Sequence, residues 1–118
     1  MSSFKFTVTG ADKVIKAFET SDILGDIDRI TETYTRKMAN TTAERAPVKT
    51  GKLRNSFPPS VRKEGPGVWS YGSDLPYATR QEYEHRTKKG FVRKTVWENR
   101  TPYREAIKER ISEIGGDL

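Results

Sequence analysis

The sequence has no cysteine and a single histidine, His85. Without cysteine there is no disulfide framework and no thiolate metal site, and a reducing compartment is allowed. One histidine leaves an ordinary metal site short of nitrogen ligands. Apolar residues are also scarce, at 33% against 32% charged. No apolar run approaches the roughly 20 residues of a membrane span. Residues 1–10 have no apolar core followed by a cleavage site, so they do not read as a signal peptide. These absences predict a soluble, non-secreted protein. Internal repeats and low-complexity tracts are missing too.

What is present is one domain's worth of chain, residues 1–118, with 22 basic and 16 acidic residues and a formal charge of +6. A domain this small buries a modest share of its surface, which leaves room for part of that surface to pack against other subunits. The excess positive charge favours anionic partners, but both signs are interspersed, so it is no nucleic-acid signature alone.

Phe4, Phe6 and Val8 alternate with Lys5 and Thr7, the period of a half-buried strand. Ala11, Val14, Ile15 and Phe18 follow at helical offsets and predict a short helix over about residues 11–19. Ser21 or Asp22 then offers a cap to the longest helix, roughly residues 22–45. Its narrow stripe is Ile23, Ile27, Ile30, Tyr34 and Met38, with Ala39 and Ala43 beside it. A thin stripe on a long helix suits packing over one sheet or one neighbour. Pro47 disfavours helical geometry at Ala46 and ends the run.

Thr50-Gly51 reads as a turn, and a half-turn of helix fits Leu53 to Phe57 before Pro58-Pro59. Gly65-Pro66-Gly67 is a strong turn signal between Val61-Arg62-Lys63 and Val68-Trp69-Ser70-Tyr71, which predicts a β-hairpin. One or two helical turns are expected over Tyr77 to Tyr83, then a turn at Lys88-Lys89-Gly90. Residues 91–97 have strand composition, though their periodicity does not settle the assignment. Thr101-Pro102 looks like a helix start, with Tyr103, Ala106, Ile107, Ile111 and Ile114 facing inward and Gly115-Gly116 as the stop. The expected fold is α+β: a small, mostly antiparallel sheet packed by the long helix and a C-terminal helix.

No catalytic, cofactor or metal constellation emerges. His85 lacks an orienting partner at useful spacing and is expected to be solvated or locally bonded. Lys49-Thr50-Gly51-Lys52 has the wrong order for a phosphate loop and no preceding glycine-rich stretch. Arg80, Arg86, Lys88, Lys89, Arg93, Lys94 and Arg100 interleave with Tyr77, Tyr83, Phe91, Trp97 and Tyr103. Such interleaving suits backbone tracking and base stacking. The expectation here is instead that the aromatics fill the core while the cations line loops. A small basic nucleic-acid-binding protein, or a ribonuclease-type toxin relying on His85, remains the alternative.

Three segments in order are similar to one family. Ala46-Pro47-Val48-Lys49-Thr50-Gly51-Lys52-Leu53-Arg54-Asn55-Ser56 resembles its A-P-x-x-T-G-x-L-R-x-S segment. Tyr77-Ala78-Thr79-Arg80-Gln81-Glu82-Tyr83 resembles Y-A-x-x-x-E-[FY]-G, and Phe91-Val92-Arg93-Lys94-Thr95 resembles P-F-[LVM]-R-P-A. Glu84 stands where the family often has glycine, Lys94 replaces a proline, and Pro102 falls within the family's last helix, so that helix either starts late, at Thr101, or an earlier one from Arg93 is broken there. The family is the head–tail joining and tail-completion proteins of long-tailed bacteriophages, also described as tail components or minor capsid proteins. The resemblance implies a structural, non-catalytic virion protein, found in the host cytoplasm during assembly. It implies a homo-oligomeric ring, commonly a hexamer, in the neck between the capsid connector or stopper and the tail tube, around a channel that DNA crosses without sequence-specific binding. Ring contacts would be head-to-tail. The surfaces expected to make them are Lys49, Thr50, Gly51, Lys52 and Arg54 in the basic turn, Val61, Val68, Trp69 and Tyr71 in the hairpin, and Arg86, Lys88, Lys89 and Phe91 in the later loop. Hairpin tips that reach outward and free sheet edges would serve that purpose.

Overall fold

The structure, a computed structural model, describes residues 4–9, 23–47 and 51–115. The helix expected over residues 11–19 lies outside them. So do Val48, Lys49 and Thr50 of the basic turn.

Helix α1, Ile23–Arg45, is the long helix of the sequence pattern. Its buried face is Ile23, Ile27, Thr31, Thr35, Met38, Ala39, Thr42 and Ala43. Ile30 and Tyr34, expected at the centre of the stripe, flank it and are half-buried. The threonines take the centre because their hydroxyls are satisfied. Thr35 donates to the Thr31 carbonyl at 2.7 Å, Thr31 meets the Tyr103 hydroxyl at 2.8 Å, and Thr42 meets the Tyr71 hydroxyl at 3.2 Å. Burying a hydroxyl is tolerable only when it is bonded in this way.

Gly51, at φ 82°, turns the chain into the short helix α2, Lys52–Ser56, followed by a 3-10 turn over Pro58–Ser60. The left-handed backbone there is one that glycine adopts without steric cost. Strands β2, Arg62–Gly65, and β3, Val68–Ser73, form the expected hairpin. Strand β1, Phe4–Thr9, pairs antiparallel with the other side of β3, giving the sheet order β1-β3-β2. Hence β3 is the central strand and β2 an edge. A register shift between Lys63 and Gly65 bends that edge. On β3, Trp69 and Tyr71 point toward α1, where they bond Asp28 and Thr42, while Ser70 bonds Glu64 on the other face.

Helix α3, Ala78–Glu84, leads through a turn closed by Gly90, at φ 80°, into α4, Phe91–Gly115. Two expectations are overturned here. Residues 91–97 are helix, not strand, and the last helix does not begin at Thr101 but runs through Pro102. The physical reason is burial at helical spacing: Phe91, Val92, Thr95 and Asn99 are all buried on one face. Their polar members are again bonded within the helix, Thr95 to the Phe91 carbonyl at 2.8 Å and the Asn99 amide to the Thr95 carbonyl at 2.9 Å.

Helices α1 and α4 pack antiparallel, clamped at both ends by ion pairs. Arg45 reaches Glu98, and Arg110 reaches Asp26 with Nε–Oδ2 at 2.8 Å. Hydrogen bonds first from Arg110, then from Arg29, hold the Asp26 carboxyl below the usual range. The principal core joins Met38, Ala39, Ala43, Ala46, Leu53, Phe57, Tyr71, Ala78, Phe91 and Val92. Phe57 and Phe91 meet edge-on with ring centroids 5.9 Å apart. A second, smaller cluster holds Ile23, Ile27 and Ile107, with Ile30, Tyr103 and Ile111 against it. Among the described residues no buried side-chain nitrogen or oxygen lacks a partner. The architecture is α+β, a small antiparallel sheet packed by the long helix α1, with the C-terminal helix α4 laid along α1.

Candidate functional site

The residues expected to form an interface separate into three settings. Trp69, Tyr71 and Phe91 belong to the interior of the subunit and are corrected accordingly. Tyr71 and Phe91 are 1% and 2% exposed, and Trp69 is buried beneath α1. Burial, slightly countered by the Thr42 hydroxyl, pushes the Tyr71 phenol up to about 12. Val68, on the central strand, is half-buried. Trp69 and Tyr71 are occupied by their own core because they lie on the central strand with α1 directly above it, and Phe91 because it begins α4 with its ring against Phe57.

The hairpin tip does not reach outward either. The Asp28 carboxylate on α1 accepts the Gly67 N–H at 2.9 Å and the Trp69 indole N–H at 3.2 Å, and pairs with Lys63 at 3.2 Å. Burial disfavours the charged Asp28. The Gly67 amide and then the Lys63 and Trp69 donors outweigh it, so its pKa lies below the ordinary value. The tip is thereby fastened to the subunit's own long helix.

What faces solvent is the first usable surface: the edge of β2 and the short helix α2. Val61 is half-buried, and Arg62 and Lys63 are exposed. Arg54 and Lys52 stand exposed on α2, which Leu53 anchors into the core. Between α2, the 3-10 turn and the sheet lies an open depression of about 590 Å³ lined by Lys5, Ser56, Ser60, Arg62 and Ser70 among others. Glu64 sits beside it and gathers Ser70 at 2.7 Å, Arg62 at 2.9 Å and Lys5 at 3.2 Å, which together draw its pKa down to about 2. This small network ties β2 to β1 across the central strand.

The second surface is the α3–α4 loop. Arg86, Lys88 and Lys89 are exposed there. His85 is locally bonded, as its isolation in sequence suggests: its Nδ1 accepts the N–H of Thr87 at 3.2 Å and of Lys88 at 2.9 Å. The loop is closed by a residue whose role the sequence did not reveal, Glu82. Its side chain is 4% exposed. Its carboxylate accepts the backbone N–H of Val92 at 2.9 Å and of Arg93 at 3.1 Å, plus Arg93 Nε at 2.9 Å. A carboxylate in this position satisfies amides that the first helical turn leaves without partners and lies at the positive end of the helix dipole. The Gly90 N–H returns to the Glu82 carbonyl at 2.6 Å. Eight to eleven residues of separation, rather than the three of a local capping box, hid this arrangement.

The expectation that the aromatics of this region fill the core holds for Phe91 but not for three others. Tyr77, Tyr83 and Trp97 are exposed, the last two by 58% and 67%. Among the described residues no group of three or more His, Asp or Glu side chains could hold a metal ion, and no helix is long and apolar enough to cross a membrane. Comparison with family models, with curated proteins and with solved structures finds no match to this chain.

Proposed function

We propose that this chain is a structural subunit of a long-tailed bacteriophage, a head–tail joining or tail-completion protein that works as a homo-oligomeric ring between capsid connector and tail tube. The observation that carries the reading is the α3–α4 joint. Two of the three segments similar to that family meet there physically, because Glu82 of the first caps the helix that Phe91-Val92-Arg93 of the second begins. The third segment similarly occupies a joint, ending α1 and turning at Gly51 into α2. The segments that resemble the family thus lie where the elements join.

A ring subunit needs two different surfaces for head-to-tail contact. The edge of β2, unpaired among the described residues, supplies one, since an edge strand presents backbone groups ready to pair with another chain. The exposed cations of the α3–α4 loop supply charge for the other. The elongated form, 52 × 25 × 18 Å, suits lateral packing around a channel.

The test is complementation in vitro. Particles made without this protein should accumulate as separate heads and tails, and adding the purified chain should join them. Failure of the chain to join them, with separated heads and tails otherwise competent, would refute the proposal.

A further inference from the structure

Residues 83–104 carry seven basic side chains and two acidic ones, against a formal charge of +6 for the whole chain. Both acids are already engaged, Glu84 with Arg80 and Glu98 with Arg45. Five of the cations, Arg86, Lys88, Lys89, Arg100 and Arg104, form no ion pair with any described residue. Net charge elsewhere in the molecule is nearly balanced, so the field of the protein is concentrated on this one surface.

Aromatics are built into the same surface. Arg93, Trp97, Arg100 and Arg104 are spaced four, three and four residues apart, which puts them on one face of α4 over roughly 16 Å of helix. The Arg93 guanidinium lies 4.5 Å from the Tyr83 ring centroid, and that of Arg100 lies 4.3 Å from Trp97. Tyr83, Arg93, Trp97 and Arg100 therefore follow one another as alternating aromatic and cation. Glu82 holds Arg93 in place through Nε at 2.9 Å, so this part of the ladder is preset. At its loop end is an open cavity of about 640 Å³ whose wall includes Tyr83, Arg86, Lys89, Arg93 and Lys94 and no carboxylate.

From this geometry we infer that the α3–α4 loop and the exposed face of α4 form a binding surface for single-stranded nucleic acid, with the cations on phosphates and Trp97 and Tyr83 stacking on bases. An acidic protein would use the cations but would leave two large exposed rings without purpose. A duplex would hide the base faces those rings can stack on. Single strands offer both features, a charged backbone and open π-faces. Sequence discrimination is not expected, since stacking tolerates every base. The inference does not depend on ring formation.

The test uses the full chain and a fluorescently labelled oligothymidylate of roughly 12 nucleotides, a length in the usual site range. Five phosphate contacts predict a log–log salt slope of about −3.5, so a fourfold rise in salt should weaken binding roughly 100-fold. The double variant Arg100→Glu/Arg104→Glu should bind far more weakly and with a shallower slope. Trp97→Ala should lose about tenfold, the usual effect of removing one stacked base. All three side chains are exposed, and thermal melts by circular dichroism check that the variants stay folded. Arg29→Glu, on α1, should leave binding unchanged. Absence of binding, a salt-insensitive affinity, or wild-type affinity in the folded variants would overturn the inference. So would equal affinity for polyglutamate-blocked and free protein, or duplex DNA bound as tightly as the single strand with Trp97→Ala silent.

Discussion

Replacing Glu82 with alanine tests the α3–α4 joint more sharply than any other single change. The carboxylate accepts two backbone amides of α4 and one guanidinium N–H. Val92 is fully buried, so its amide has no water to turn to once the acceptor is gone. Hydrogen bonds to a charged group contribute about 1.5–3 kcal/mol each, which puts the loss of the two amide bonds at about 4 kcal/mol. The Arg93 contact adds at most about 1 kcal/mol, because the guanidinium is half in solvent and keeps its water. A chain of this size has a total stability of about 6–18 kcal/mol, so the loss is a large share. At about 4 °C per kcal/mol, the melting temperature of Glu82→Ala should fall by about 15 °C. Glu82→Gln keeps one oxygen for one amide and should lose about half as much. Arg93→Ala should lose least. Thermal and urea unfolding followed by circular dichroism would measure the series. A Glu82→Ala protein melting within about 3 °C of the parent would refute the reasoning, a shift worth less than 1 kcal/mol. Equal losses in Arg93→Ala and Glu82→Ala would show that the ion pair, not the helix-capping role, holds the joint.

Three further outcomes are expected. Asp28→Ala should release the hairpin tip at a cost of about 2 kcal/mol, the usual penalty for orphaning buried donors, with hydrogen exchange rising first at the Gly67 amide; unchanged protection there would contradict the pinning of the tip. Glu64 has its folded pKa lowered from 4.5 to about 2, so its contribution to stability is complete above 4.5 and lost as pH falls toward 2. Wild type and Glu64→Gln should accordingly differ most near neutral pH and converge in acid, as paired urea melts at several pH values would reveal; a gap that widens in acid would reverse the sign of the argument. Pro102→Ala restores an amide inside α4 at an exposed position and should stabilise by about 1–3 kcal/mol, seen as a higher melting temperature; no gain would mean that the helix has already accommodated the proline.

The parts of the fold that were legible in sequence are those written in apolar residues and in turn chemistry. Helix α1, the hairpin at Gly65–Gly67 and the Gly51 turn all follow from such signals, and all three are present. Residues 91–97 have strand composition because β-branched and aromatic side chains dominate them. Taken as inward-facing, Phe91, Val92, Thr95, Val96 and Asn99 recur at offsets of zero, one, four, five and eight, a helical spacing. The same substitution of threonine for aliphatic residues shifted the true stripe of α1 toward Thr31, Thr35 and Thr42. Thr35 can be buried because its hydroxyl bonds the Thr31 carbonyl, and Thr31 and Thr42 because theirs meet the Tyr103 and Tyr71 hydroxyls, so none carries an unsatisfied polar group. Glu82 was hidden for another reason. Its partners lie across a loop, and no local pattern links a carboxylate to amides ten residues on. Trp97 and Tyr83 show the opposite case: large aromatics expected in the core stand at the surface, each with an arginine guanidinium over its ring.

The assembly proposal is tested most directly by electron cryo-microscopy of the neck of intact particles that contain this protein. The prediction is a closed ring between connector and tail tube in which the β2 edge of each subunit, about Arg62–Gly65, lies against the next copy. Density showing no copies at the neck, or copies whose β2 edges all face open solvent, would contradict it.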